Sequence, residues 1–466
     1  MSHGTADHPL DLLGVGAGPF NLSLAALADG VPRLRSAFFE QSPAFRWHPG
    51  LLIDGTTLQV PFLADLVSLV EPRSPYSFLN YLRSQGRLFP FYFAERFHIR
   101  RAEYDHYCRW ASERLPSVRF GRRIERIGWD GEAAAFHIDY TELDAAGPTG
   151  RRGRVHARNV ALGVGTEPHV PAPLRSLLDD PSTPVMHAAD YLRNRERLLA
   201  ADHITVVGAG QSGAEVLLDL LRHRPPLREG LTWVARTPAF APMEYSKLGL
   251  EQFTPDYTRY FHQLPEDARD RLWPQQWQLY KGVSATTLGE IHDELYHRSF
   301  DGNWPDVTLT PGVAVTGARR RGRHLELHVE QRDQGARREL RTDAVVLATG
   351  YRKRPVDAVL APLRPYLRTD TGHRPLVDAT QRLVLDPAIG GSVFVQNFED
   401  HTHGVGTPDL GLAAWRSAVI INALTGVETY PLPERTAFTS FGIGAIPVPE
   451  DADEYATTLN QNGDAQ

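Results

Sequence analysis

Cysteine is nearly missing from this chain: Cys108 is the only one in 466 residues. One thiol excludes an internal disulfide, a CxxC redox pair and a cysteine-ligated zinc or iron–sulfur centre. Lysine is scarce as well. Only Lys247, Lys281 and Lys353 stand among 50 basic residues, and the rest are arginine, a bias that a GC-rich genome accounts for. No run approaches the ~18 uninterrupted apolar residues of a membrane span, so no membrane partner is expected. There is no excess of positive charge: 50 basic against 56 acidic residues give −6, which does not suggest a nucleic-acid partner. A signal peptide is not expected either, because a short polar stretch runs straight into a glycine motif, and the expected location is the cytoplasm. With 42% hydrophobic and 23% charged residues the composition is that of a globular protein, long enough for two or three domains.

Against these absences, one pattern occurs twice. Leu10–Val15 reads as a short buried strand, followed by a glycine turn, a helix over Leu22–Leu27 and a second strand at Ala37–Glu40. His203–Val207 starts the same series, followed by Gly208–Gly213, a helix over Ala214–Leu221 and a strand at Leu231–Ala235. The first turn is Gly16-x-Gly18-x-x-Asn21, with asparagine in place of the third glycine; the second, Gly208-x-Gly210-x-x-Gly213, is complete. Glycines there allow a tight turn and let a pyrophosphate approach the backbone, and the helix N-terminus behind favours its charge. Glu40 ends the second strand of the first unit, where a carboxylate accepts ribose hydroxyls. Arg236 follows the equivalent strand of the second unit, where a cation suits a 2′-phosphate, so NADPH is expected over NADH.

Two further segments match one another: Val160–Thr166 and Val345–Tyr351 are apolar strands ending in Gly/Thr turns, each closing one half. The expected fold is therefore α/β, with two Rossmann-like dinucleotide-binding domains, the second inserted into the first, and a smaller helical substrate region. The expected boundaries are 1–198 for the first part of the FAD domain and 199–340 for the NADPH domain. Helices over about 250–300 are broken at Pro265 and Pro274. Residues 341–440 return to the FAD domain and the substrate pocket, and 441–466 form a polar, mobile tail. No nucleophile elbow occurs. Asp54, Asp65 and Glu71 lack metal-ligand spacing, and His401-Thr402-His403 lacks a third ligand, so no metal is expected. A disulfide reductase shares the two-turn layout but needs the redox pair that one cysteine denies. A flavoprotein sensor without catalysis is the remaining alternative.

Gly16-Ala17-Gly18-Pro19-Phe20-Asn21-Leu22, Phe45–Gly50, Pro75–Leu82, Gly208–Gly213, Phe253-Thr254-Pro255, Ala348–Tyr351, Thr402-His403-Gly404 and Ala414–Ser417 together resemble the flavin-dependent N-hydroxylating monooxygenases of siderophore biosynthesis. The resemblance spans residues 10 to 426 and implies FAD, NADPH, dioxygen, a small-molecule amine substrate and a homo-oligomer, dimer or tetramer. It implies that reduced flavin and dioxygen form a C4a-hydroperoxide, which a neutral primary amine attacks. Carried over by position, cofactor contacts fall on Gly16, Gly18, Pro19, Asn21, Glu40, Trp47, His48, Gln59, Asp409 and Leu410, and on Gly208, Gly210, Gln211, Ser212, Gly213, Arg236, Thr349, Gly350 and Tyr351. Gln59 is the catalytic candidate, orienting flavin and hydroperoxide. The S- and N-oxygenating relatives carry Phe-x-Gly-x-x-x-His-x-x-x-Tyr between the turns. Here His187 and Tyr191 fit, but Pro181 and Thr183 do not, which favours the N-hydroxylating branch.

The substrate positions depart from those of the amino-acid hydroxylases. Ala64 stands where a lysine holds the substrate carboxylate, Leu250 and Tyr280 where amides do, and Gly411 where a serine lines the pocket. Codon bias turns lysine into arginine, not alanine. The expected substrate is therefore an aliphatic diamine, cadaverine or putrescine. The alternative is L-lysine N6- or L-ornithine N5-hydroxylation, with an arginine or Lys281 supplying the charge from elsewhere.

Overall fold

The computed structural model describes residues 4–178 and 184–445. Residues 446–466 of the expected tail, and Pro181 and Thr183 of the branch signature, lie outside them; at the start of that tail, Phe441 is not free but packs on the Tyr257 ring at 4.9 Å. Two five-stranded parallel sheets carry the fold. The first runs Ser392–Val395, Asn159–Leu162, Leu12–Val15, Ser36–Phe39, Val118–Arg119. The second runs Val307–Pro311, Leu231–Ala235, Ile204–Val207, Ala344–Leu347, Val185–His187. Both central strands are buried on both faces, which is why they read as apolar runs without alternation. Each sheet carries a three-stranded antiparallel meander, Arg122–Ala157 on the first and Val313–Thr342 on the second.

The second sheet reaches beyond the expected 199–340. It takes Val185–His187 from before that span and Ala344–Leu347 from after it. A three-residue strand has too little length to show a period, so nothing in the sequence marked the first of these. Past the sheets, the exits of the two closing strands pair antiparallel, Thr166–Pro168 with Tyr351–Lys353, and join the two units.

The helical region is divided between two neighbours. Pro255–Gln263 is capped by Thr254 and packs Tyr257 and Phe261 against Val405. Ala285–Arg298 instead lies along Gln211–His223 of the second unit. Pro265 caps the helix Glu266–Gln275, and Pro274 sits in its last turn. Ala413–Thr425 returns to the first unit and packs along Pro19–Asp29, where the Ser417 and Ser23 hydroxyls meet at 3.1 Å. Cys108 is buried in Arg101–Arg114. Among the described residues no helix is long and apolar enough to cross a membrane.

Candidate active site

The two glycine turns are built alike. Gly16 has φ +85°, and a Cβ there would sit 2.5 Å from the Gly163 carbonyl; Gly208 has φ +126°, and its Cβ would sit 2.2 Å from that of Ala348. Each turn is thus pressed on the end of its closing strand, which is why the strand segments matched in the sequence. Gly18 and Gly210 cap the following helices, Pro19–Asp29 and Gln211–His223, without a side-chain cap, and open space lies over each Cβ position. Uncapped helix N-termini of this kind are anion sites. Asn21 is fully buried beneath the first turn. Its amide donates to the carbonyls of Val15 at 3.1 Å and Gly16 at 2.8 Å, and its oxygen accepts from Gln396 at 2.8 Å. Its side chain fixes the turn's shape and has no group left for a ligand, so a cofactor contact by Asn21 would come from its main chain.

Between the units lies a cleft of about 650 Å³. Gly18, Pro19, Trp47, His48, Gln59 and Leu410 line it from the first unit, Gln211, Ser212 and Tyr351 from the second, and Met243, Tyr245, Leu250, Phe253, Leu279 and Tyr280 form a mainly apolar third wall. Three buried polar atoms on this lining have no partner among the described residues: Gln59 Nε2, Tyr351 Oη and Gln396 Oε1. With the two uncapped helices they make a polar lining that suits a flavin and a nicotinamide.

A profile of the L-lysine 6-monooxygenase/L-ornithine 5-monooxygenase family matches residues 8–353. The chain belongs to this family. It is a flavin-dependent monooxygenase, with FAD and NADPH as its cofactors. It is 41% identical to the rhizobactin siderophore biosynthesis protein RhbE of Rhizobium meliloti, over 93% of this chain and 95% of that one. Identity to the putrescine N-hydroxylase of Acinetobacter baumannii is 36%, covering 98% and 99% of the two chains. A crystal structure of DfoA with FAD, a cadaverine monooxygenase of desferrioxamine biosynthesis in Erwinia amylovora, superposes with a TM-score of 0.87 at 37% identity, covering 94% and 99%.

The first glycine turn holds Glu40: its carboxylate accepts from Ala17 N at 3.0 Å and Ser42 N at 2.8 Å at the end of Ser36–Phe39. Arg236 is exposed past Leu231–Ala235 and bonded to nothing among the described residues, so it is free to meet a 2′-phosphate. Thr349 donates to the His169 carbonyl, and the Gly350 carbonyl meets His187 at 3.0 Å, so both hold the closing turn rather than line the cleft. Gln211 is engaged on every side: Glu215 at 2.8 Å, Thr287 at 3.0 Å and Ser284 N at 2.7 Å. His48 sits in the left-handed region at φ 46° between Trp47 and Tyr351; burial, then the charge of Arg101, lowers its pKa to about 4, so the ring is neutral at neutral pH.

Two expected substrate positions are not on the cleft wall. Ala64 is buried in the turn after Pro61, and Gly411 lies behind Asp409. The sequence argument from Ala64 is therefore indirect, since its methyl is too short to reach the cleft. Leu250 and Tyr280 are on the wall, Tyr280 stacked on Trp273 at 5.6 Å. Lys281 is exposed and lies over the Tyr280 ring, away from the lining. Missed in the sequence were Arg46, Glu244, Tyr245 and Arg101. Arg101 is paired at 2.6 Å with buried Glu215 of the other unit, a partner 114 residues away that no local pattern reveals.

Gln59 gives the first expectation. Gln59→Ala removes the unpartnered amide from the lining, and the fraction of oxidised NADPH recovered as hydroxylamine should fall about threefold or more, with hydrogen peroxide rising to match. Unchanged product and peroxide yields would deny Gln59 a role in oxygen transfer.

Proposed function

We propose that this enzyme N-hydroxylates one terminal amine of an aliphatic diamine of putrescine or cadaverine size, in siderophore biosynthesis in the cytoplasm. The observation that carries this reading is the charge of the third wall. From Met243 to Tyr280, together with Pro408–Leu410, the lining holds two carboxylates, Glu244 and Asp409, and no lysine or arginine. Arg46 and Arg101 are the cations on the lining. Arg46 stands beside Trp47 and His48, and Arg101 is committed to Glu215. A substrate α-carboxylate would find no cation on that wall, whereas an ammonium would find acceptors.

FAD, reduced by NADPH, supplies the electrophilic oxygen drawn from dioxygen. The chain does the rest. The Gly18 and Gly210 helix ends would hold pyrophosphates, Glu40 an adenosine ribose, and Trp47, His48 and Gln59 would lie against the flavin. Met243, Leu250, Phe253 and Leu279 keep water from the reacting amine. A free alkylamine has a pKa near ~10.4, and an apolar wall disfavours its protonated form, leaving the nitrogen lone pair available.

The test is amine-dependent turnover: FAD-loaded enzyme with NADPH, dioxygen and putrescine or cadaverine, with the product identified by mass as the mono-N-hydroxy diamine. NADPH oxidation without hydroxylated product from either diamine would sink the reading. A second expectation concerns the nucleotide. Arg236→Ala should cut the preference for NADPH over NADH by about tenfold, the worth of one charge-assisted contact to a phosphate. Equal efficiency with both nucleotides in the unaltered enzyme would remove Arg236 from this role.

A further inference from the structure

Glu244 and Asp409, the two carboxylates on the third wall, are differently situated. Glu244 is exposed and accepts from Ser246 N at 2.5 Å, so water screens it. Asp409 is ringed by protein and only partly exposed, on the cleft lining. It caps the turn Leu410–Leu412 by accepting from Gly411 N at 2.6 Å. The nearest cation does not neutralise it. Arg416 donates to the carbonyls of Gly406 at 3.2 Å and Thr407 at 2.9 Å and pairs with Glu399 at 3.5 Å. Asp409 makes no ion pair among the described residues. Burial raises its pKa to about 6 against the opposing pull of the Gly411 amide and the Arg416 charge, as expected of a carboxylate short of positive charge.

Gly411 is part of the same construction. A Cβ there would lie 2.7 Å from Asp409 Oδ1, so any larger residue would push the carboxylate from its seat. On the same wall, burial raises the Tyr245 pKa to about 12; the charge of Arg101 opposes the rise and that of Asp409 adds to it.

We propose that Asp409, which the resemblance places among the cofactor contacts, is instead the ammonium subsite of this enzyme: its carboxylate, seated by the Gly411 amide, takes the protonated far amine of the substrate while the near amine is hydroxylated. This rests on the diamine reading above and adds the acceptor that reading requires. The bound ammonium brings the charge that Asp409 lacks, through a charge-assisted bond sheltered from bulk water. The same carboxylate selects against lysine and ornithine, whose α-carboxylate would be set beside it as a like charge.

The experiment compares diamines with monoamines of equal length, putrescine with butylamine and cadaverine with pentylamine, on the FAD-loaded enzyme. Hydroxylamine formation gives kcat/KM, and calorimetric titration gives affinity. The unaltered enzyme should favour the diamine by about 30- to 100-fold, and Asp409→Asn, which still accepts from Gly411 N, should bring the two within about threefold, the loss falling in KM. Gly411→Ala, which keeps the carboxylate but crowds it, should erode the preference in the same direction.

A diamine preference that survives Asp409→Asn overturns the assignment and leaves the diamine reading standing. If Asp409→Asn does not retain FAD, Gly411→Ala decides, and an undiminished preference in that variant overturns the assignment. If the unaltered enzyme forms no hydroxylated diamine, the diamine reading falls and the Asp409 subsite with it.

Discussion

Replacing Asp65 with alanine should lower the unfolding free energy by about 3–5 kcal/mol, enough to threaten folding. The carboxylate is 3% exposed and has four donors: Val67 N at 2.9 Å, Ser68 N at 2.6 Å, Ser68 Oγ at 2.6 Å and Phe78 N at 2.7 Å. Alanine leaves three amides and a hydroxyl without a partner where little water reaches, and each such group costs on the order of 1–3 kcal/mol. The gain from no longer burying a charge offsets part of this. Burial raises the Asp65 pKa, and the four bonds counter it. The bond to Phe78 N ties the turn after Pro61 to the start of Phe78–Ser84, whose Phe78, Tyr81 and Leu82 enter the core beside the helix Pro19–Asp29. Asp65→Asn keeps one acceptor oxygen and should lose roughly half as much. Urea unfolding of the FAD-loaded enzyme followed by tryptophan fluorescence reads both. A loss below about 1 kcal/mol in the alanine variant would contradict this role.

Much of the fold could be read from the chain because the parallel strands are buried on both faces. Leu12–Val15, Ile204–Val207 and Leu231–Ala235 are apolar runs between glycine turns and helices, and that local signal is strong. The turns were legible for the same reason, since Gly16 and Gly208 face constraints of their own backbone. Asn21 was legible as a departure but not as a staple, because its carbonyl partners come from Val15, Gly16 and Ala161, two strands side by side. Asp65 was weighed only as a metal ligand, and its backbone donors could not be seen before the loop was closed. The same limit hid the pairing of Arg101 with Glu215 and the place of Asp409 and Tyr245 on one wall. Their meaning depends on which wall of the cleft they face, and a wall is assembled from segments far apart in the chain. Ala64 shows the opposite error, a position read as pocket that the fold buries.

Putrescine or cadaverine should be hydroxylated with kcat/KM at least about a hundredfold above L-lysine or L-ornithine, because one charged group left unpaired against a wall partly shielded from water is enough for that discrimination. The wall from Met243 to Tyr280 supplies no cation, and neither do Pro408–Leu410. Lys281, which could have substituted for a missing clamp, lies off the lining against Tyr280. An amino acid would also set its carboxylate against Glu244 or Asp409. Apolar contacts along the methylenes are shared by both substrate classes and do not separate them, so the charge at the far end decides the ratio.

The most direct measurement is a side-by-side determination of kcat/KM for hydroxylamine formation with putrescine, cadaverine, L-lysine and L-ornithine at saturating NADPH and dioxygen. The structure leads to a diamine at the top and both amino acids at least about a hundredfold below it. Lysine or ornithine turned over as well as the better diamine would contradict the charge argument and make this an amino-acid hydroxylase.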